Sequence, residues 1–132
     1  PSHVRARVAL GTLHFDRGEM TEAEAQYRQA LELNPNQPEA LANLGASLLA
    51  MQRPVEAEPY IRRAIEQGGA TAVHQTNLAL AMAAQGKLDE AEQALAAALQ
   101  VDPDYPQALA LAARIAEFRR MRQRPGSRRP AL

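Results

Sequence analysis

The stretch PNQPEALANLG, residues 35–45, returns along the chain at multiples of 34 positions. The copy PDYPQALALAA occupies residues 103–113, and PSHVRARVALG occupies residues 1–11. A period of this length indicates a helical repeat, in which each pair of helices buries its apolar face only by stacking on its neighbours. The sequence therefore predicts an all-α fold, a solenoid of helix pairs without strands.

The repeat is also visible in single columns of small and apolar residues. Residues one period apart agree in five columns: Leu10, Leu44 and Leu78; Gly11, Gly45 and Ala79; Ala23, Ala57 and Ala91; Ala30, Ala64 and Ala98; and Pro1, Pro35 and Pro103, with Gly69 in place of Pro. Small residues at a helix contact allow two helices to approach to about 8–10 Å. We expect Ala23, Ala57 and Ala91 to be buried against the partner helix of each pair.

The columns divide the chain into three 34-residue repeats and one further helix. The repeats are residues 4–37, 38–71 and 72–105, and the last helix, residues 106–121, is expected to cap the exposed face of the third repeat. Residues 122–132 have no periodic apolar pattern and are predicted to be a basic, disordered tail.

Local signals set the turns inside each repeat. Gly18 and Gly86 suit the left-handed position after a helix, which Gln52 occupies in the second repeat. Thr21 followed by Glu24 fits the capping-box pattern, so the second helix of the first repeat is predicted to begin there. Asp89 and Glu92 repeat this pattern in the third repeat.

Composition restricts the classes of protein. Aromatic residues make up 4% of the 132 residues and Trp is absent, which favours closely packed helices over a deep ligand cavity. Without Cys the chain has no disulfide or thiolate zinc site. No apolar run approaches the roughly 20 residues of a membrane span.

The start at Pro1, within a repeat, is typical of a fragment that lacks its native N-terminus. The chain has one Lys and 14 Arg, a ratio that suggests a GC-rich, bacterial genome.

The formal net charge of zero conceals two unlike regions. Residues 1–113 carry 8 basic and 14 acidic side chains, a net charge of −6. Residues 114–132 carry 7 Arg against Glu117, a net charge of +6. The Arg-rich end contains no aromatic residue beyond Phe118, so it lacks the stacking groups of single-strand binders and argues against nucleic-acid recognition.

These residues resemble the tetratricopeptide repeat family, whose pattern combines Leu-Gly, an aromatic, two Ala and a Pro at fixed positions. The first repeat matches at Leu10-Gly11, Ala23, Tyr27, Ala30 and Pro35. The second repeat has Ile61 for the aromatic and Gly69 for Pro, and the third has Ala79 for Gly. The resemblance covers about residues 1–121.

The resemblance implies a right-handed superhelix whose inner wall is lined by the first helix of each repeat. The expected wall residues are Arg5, Val8, Thr12, Phe15, Glu39, Ala42, Asn43, Ala46, Leu49, Val73, Thr76, Asn77, Leu80, Ala83, Leu111, Arg114 and Phe118. This wall is mostly small and apolar, which favours a peptide or helix with apolar side chains, its backbone bound by the amides of Asn43 and Asn77. The alternative is that both amides contact only water.

Some members of the family bind the C-terminal carboxylate of chaperones through Lys, Arg and Asn side chains. The matching positions here hold Val8, Thr12, Asn43, Val73 and Asn77, among which there is no cation. Because a carboxylate needs charge-assisted donors, chaperone-tail binding is not expected.

No catalytic, cofactor or metal site is predicted. His3, His14 and His74 occupy unrelated repeat positions, and no Gly-rich phosphate loop follows a strand. The acidic side chains of the second helices are expected to form a solvated face: Glu22, Glu24, Glu56, Glu58, Glu90 and Glu92.

The leading hypothesis is a non-enzymatic protein-interaction scaffold with a protein or peptide partner. One alternative is an oligomerisation module, in which a homo-oligomer would form through the N-terminal face together with Leu111 and Phe118. The other is a tether to an anionic surface or nucleic acid through the Arg-rich tail.

Overall fold

The computed structural model describes residues 2–124 and 126, and this part of the chain contains seven α-helices and no strand. The helices are α1 (Ser2–Asp16), α2 (Met20–Leu33), α3 (Pro38–Ala50), α4 (Pro54–Gly68), α5 (Ala72–Ala84), α6 (Leu88–Val101) and α7 (Pro106–Gln123). They form two compact units: the N-terminal unit, up to Ala70, contains α1–α4, and the C-terminal unit, from Thr71, contains α5–α7. The predicted all-α fold is confirmed.

Helix starts agree with the predicted repeats, whereas the last helix is longer than predicted. The starts of α3, α5 and α7 coincide with the predicted starts of the second repeat, the third repeat and the capping helix. Helix α7 continues to Gln123, so the predicted tail boundary at residue 122 was wrong, because Arg122 and Gln123 still belong to the helix. Most of the predicted disordered tail, residue 125 and residues 127–132, lies outside the described residues.

Small residues bring the helices of each pair together, as predicted. Helices α1 and α2, α3 and α4, and α5 and α6 pack as hairpins joined by three-residue turns, so each pair is antiparallel. Ala23, Ala57 and Ala91 are fully buried. A Cβ atom added to Gly11 would lie 2.6 Å from the Tyr27 ring, and one added to Gly45 would lie 2.5 Å from Ile61. The close approach therefore depends on the size of these residues.

The three hairpin turns share one geometry. In the first, the amide of Gly18 donates to the Phe15 carbonyl and the amide of Glu19 to the His14 carbonyl. This pair of bonds is the Schellman motif, which places its central residue in the left-handed region. Gly18 and Gly86 take this conformation in their turns, with φ of 76° and 78°. Gln52 takes it in the second turn with φ of 60°, at the energetic cost that a side chain carries there.

Gln52→Gly is therefore expected to stabilise the chain by about 0.5–1 kcal/mol, because glycine adopts this backbone conformation without steric strain. Gly86→Ala provides the reciprocal variant and should destabilise by about 1 kcal/mol. Urea unfolding of both variants measures the two effects. Equal free energies of unfolding for the Gln52 variant and the wild type would contradict the claim that the backbone is strained at Gln52.

Two of the first helices, α3 and α5, have side-chain caps, and here the sequence prediction was wrong. Gln37 Oε1 accepts from the Ala40 amide at 2.6 Å, and Thr71 Oγ1 accepts from the His74 amide at 3.1 Å. The second helices α2 and α6 have Glu19 and Lys87 at the N-cap and no side-chain cap. The Schellman turn leads directly into them, so the predicted capping boxes at Thr21 and Asp89 fall inside the first helical turn.

Among the described residues, no helix combines the length and the apolarity that a membrane crossing requires.

Candidate partner-binding surface on the first helices

Four of the predicted wall residues belong to the interior. Val8, Thr76, Ala83 and Leu111 are between 2% and 5% exposed, so a partner cannot reach their side chains in this structure. Thr76 satisfies its hydroxyl within its own helix, by donating to the Ala72 carbonyl at 2.7 Å. The prediction that these four side chains line the wall therefore needs correction.

The remaining wall residues of the N-terminal unit lie on α1 and α3, which contact each other. Arg5 and Glu39 are exposed, and the half-buried members are Thr12, Phe15, Ala42, Asn43, Ala46 and Leu49. Half-buried side chains are fixed by their neighbours and still offer a face to a ligand. We call this set the N-terminal first-helix surface.

A chain of polar groups crosses this surface. The Asn43 amide donates to Thr12 Oγ1 at 3.4 Å, and Thr12 Oγ1 lies 3.2 Å from the Tyr27 hydroxyl. Burial raises the pKa of Tyr27, although its hydrogen bonds to Thr12 and Asn43 oppose that rise. Asn43 thus contacts protein groups, contrary to the water-only alternative. Its carboxamide still has a carbonyl oxygen with which to accept from a peptide backbone.

The C-terminal unit has a corresponding surface on α5 and α7, which also contact each other. Val73 and Arg114 are exposed, whereas Asn77, Leu80 and Phe118 are half-buried. The Arg122 guanidinium lies 5.5 Å from the centre of the Phe118 ring, a cation–π distance. We call this set the C-terminal first-helix surface.

The second helices carry a cluster of ion pairs that the sequence analysis missed. Glu24 on α2 accepts from Arg28 at 2.9 Å and from Arg53, in the second turn, at 2.9 Å. Arg53 also bonds Glu56, at 2.7 Å, and thereby links α2 to α4. Glu24 and Glu58 are only 15% and 20% exposed, so the predicted solvated face was wrong for these two residues. The missed signal was a column of Glu24, Glu58 and Glu92, in which Arg28 and Arg62 follow four residues after the first two.

The repeats of this chain match known family models. The sequence matches the family model described as "TPR repeat" over residues 11–52, and the model described as "Tetratricopeptide repeat" over residues 48–115. The second match alone spans more than half of the chain. The chain belongs to the tetratricopeptide repeat family. No curated protein sequence matches it.

Solved tetratricopeptide repeat (TPR) structures share its fold. The first TPR domain of Spaghetti (RPAP3), bound to the HSP90 peptide SRMEEVD, is 19% identical with a TM-score of 0.83, over 88% of this chain and 92% of its own. The second TPR domain of human RPAP3, with the HSP70 peptide SGPTIEEVD, is 23% identical with a TM-score of 0.77, over 86% and 98%. A Thermobaculum terrenum O-GlcNAc transferase mutant is 22% identical with a TM-score of 0.83, over 89% of this chain and 22% of its own. At these identities the similarity shows the shared fold.

Ion pairs set the direction in which the pKa of Glu24 shifts in this TPR chain. Burial alone would raise the pKa of Glu24, but hydrogen bonds from Arg53 and Arg28, together with their charges, outweigh it and hold the pKa below the usual 4.5. Within the described residues, no group of three or more His, Asp or Glu side chains is arranged to hold a metal ion.

Glu24→Gln is expected to lower the free energy of unfolding by about 1 kcal/mol at neutral pH, a modest value because both arginine partners are more than one third exposed and solvent screens them. A carboxylate with a lowered pKa stabilises the fold above its unfolded pKa, and this contribution is lost as the pH falls through the folded value. The difference between variant and wild type should therefore shrink below pH 4.5. Glu22→Gln, at an exposed position on the same helix, is the control and should change stability little. A difference that does not depend on pH would contradict the ion-pair explanation.

Proposed function

We propose that this chain is a non-enzymatic protein-interaction scaffold that binds a peptide or helical segment of a partner on its first-helix surfaces. The observation that carries the proposal is the Asn43–Thr12–Tyr27 chain of polar groups among half-buried apolar side chains. Such a surface combines fixed backbone-binding groups with apolar contact area, the two components of peptide recognition. The partner is accordingly a segment with apolar side chains.

The relatives support peptide binding as a class. Two of the similar TPR structures contain bound peptides, SRMEEVD and SGPTIEEVD, and the fold matches over nearly their whole length. The transferase gives no support for catalysis here, because this chain covers 22% of that protein.

The chemistry of the surface argues against the same peptides as ligands here. The positions at which the family places cations for a carboxylate hold Val8, which is buried, and Val73 and Asn77, which carry no charge. The peptide SRMEEVD is therefore expected not to bind to the first-helix surfaces, and an NMR titration followed at the Asn43 side-chain amide measures this directly. Binding at these surfaces that is competed by other peptides with a free C-terminal carboxylate would show that the prediction is wrong.

A random-peptide selection on the immobilised full chain tests the proposal without a known partner. We expect enriched peptides to share apolar positions and to bind in solution at a defined, saturable stoichiometry. Scrambled versions with the same composition are the control. Failure to enrich any peptide over the bare matrix would contradict the proposed function.

Oligomerisation is a second candidate, favoured by exposed apolar residues on α1. Leu10 and Leu13 are 39% and 47% exposed, although their counterparts one repeat later, Leu44 and Ser47, are fully buried. The sequence analysis assigned Leu111 to the oligomer contact, but its side chain is buried. Only α1 and Phe118 are then left as candidates for that contact. Light scattering over a range of concentrations tests this, and a monomer at every concentration would exclude it.

Ion pairs within the chain reduce the positive charge on which the tether alternative depends. Arg119 forms ion pairs with Asp89 and Glu92, and Arg120 pairs with Glu117. These two arginines belong to α7 and have carboxylate partners, so fewer cations are available to an anionic surface than the sequence suggested.

A further inference from the structure

A cleft outside the first-helix surfaces lies within the N-terminal unit, between α2, the following loop and α4. Its volume is about 290 Å³. The cleft is lined by Arg28, Leu31, Glu32, Pro35, Tyr60 and Arg63. This volume is at the lower limit of small-ligand sites, which suits one side chain with its charged group.

Hydrogen bonds between different elements hold the lining of the cleft in place. The Arg63 guanidinium donates to the Pro35 carbonyl at 2.6 Å and so connects α4 to the loop. The Arg28 guanidinium donates to the Tyr60 hydroxyl at 2.9 Å and connects α2 to α4. Groups fixed before binding lose little conformational entropy on binding, which is the condition for a preorganised site.

The two arginines of the cleft differ in their partners. Arg28 is compensated by Glu24, at 2.8 Å. Arg63 bonds a neutral carbonyl, so its positive charge is not cancelled by that partner, and the bond takes one of its five N–H donors. Glu32 is the one carboxylate in the lining. Leu31, Pro35 and the Tyr60 ring supply apolar contact beside the guanidinium.

We infer that this cleft is a second binding site, which takes a carboxylate attached to an apolar residue of a partner peptide. The carboxylate accepts hydrogen bonds from Arg63, and the apolar side chain packs against Leu31, Pro35 and Tyr60. An apolar residue of a peptide carries a carboxylate only at the C-terminus, so the ligand is a peptide C-terminus. The lining belongs to α2, α4 and the loop after α2 and shares no residue with the first-helix surfaces, so the site is independent of the proposed function.

Titration by NMR with small probes tests the site on the full chain. N-acetyl-leucine carries the carboxylate and the apolar side chain, and N-acetyl-leucinamide is the matched neutral probe. We expect the acid, but not the amide, to shift the Tyr60 ring and Arg63 Nε–H signals to saturation. N-acetyl-glutamic acid α-amide has its carboxylate on the side chain and lacks the apolar group, so it should bind more weakly than N-acetyl-leucine, and equal binding of the two would contradict a C-terminal ligand.

Three variants are expected to change the affinity for the acid differently: one weakens binding, one tightens it and one leaves it nearly unchanged. Arg63→Gln should weaken the acid about tenfold, because a charge-assisted bond is lost at a partly exposed site. Glu32→Gln should tighten it about twofold to fivefold by removing a repulsive charge. Arg62→Gln removes the neighbouring, exposed charge that pairs with Glu58 and should have little effect.

Three results would overturn the site: no saturable shift with the acid, equal binding of acid and amide, or an equal loss in the Arg62 and Arg63 variants. Circular dichroism checks that each variant is folded. If Arg63→Gln does not fold, Glu32→Gln decides alone: tighter binding of the acid supports the site, and unchanged or weaker binding contradicts it.

Discussion

Tyr27→Ala is expected to destabilise the N-terminal unit by about 3–5 kcal/mol, the usual cost of removing a buried aromatic side chain. The Tyr27 side chain is 1% exposed and is the largest of the fully buried ones. Its ring occupies the space that Gly11 leaves open, so the alanine variant creates a cavity between α1 and α2. Since small domains are stable by only about 5–15 kcal/mol in total, this loss can unfold the unit at room temperature.

Tyr27→Phe is the matched control, because it keeps the ring and removes only the hydroxyl bonded to Thr12. It should cost about 0.5–1.5 kcal/mol, the net value of one hydrogen bond. Guanidinium unfolding followed by circular dichroism measures both variants. Equal losses for Phe and Ala would show that the hydroxyl, and not the packed ring, supports this pair of helices.

Leu49→Glu combined with Leu80→Glu is expected to weaken binding of a selected peptide by at least about 100-fold, which corresponds to about 2.7 kcal/mol. Both leucines are half-buried on first helices, one in each unit. A bound apolar peptide would bury the new carboxylates without partners, at a cost of several kcal/mol for each. Because they are not in the core, the helical spectrum should be retained.

Ala25→Glu combined with Gln93→Glu is the matched control for this change. The two residues are exposed on α2 and α6, again one in each unit, and the control adds the same number of acidic groups. Binding of the peptide should stay within about threefold of the wild type, as expected for screened surface charges. A comparable loss in both double variants would contradict binding on the first helices.

The sequence predicted the helices well because close helix packing depends on residue size. Gly11, Gly45 and the buried alanines recur at fixed columns, and a side chain at Gly11 or Gly45 would meet Tyr27 or Ile61, respectively. Gly18 and Gly86 likewise made the turns of the first and third repeats predictable from the sequence. The capping boxes failed because the same letters fit a helix that begins two residues earlier.

The candidate site was less predictable, because membership of a column does not fix exposure. Phe15, Leu49 and Ala83 share one column, yet the small alanine is buried where the larger side chains protrude. Leu111 occupies the column of Asn43 and Asn77 and is buried, because an apolar side chain turns to the core where an amide stays at the surface. The cluster of Glu24, Arg28 and Arg53 joins residues up to 29 positions apart, and its geometry depends on side-chain conformations that no spacing specifies.

The side-chain amide signals of Asn43 and Asn77 give the most direct test of the first-helix surfaces. Each amide reports one unit, and both are half-buried on first helices. On titration with a selected peptide, we expect these signals to shift in proportion to the fraction bound, while the exposed Gln29 and Gln93 amides of the second helices stay in place. Shifts confined to Gln29 and Gln93, with Asn43 and Asn77 unchanged at saturation, would contradict the account.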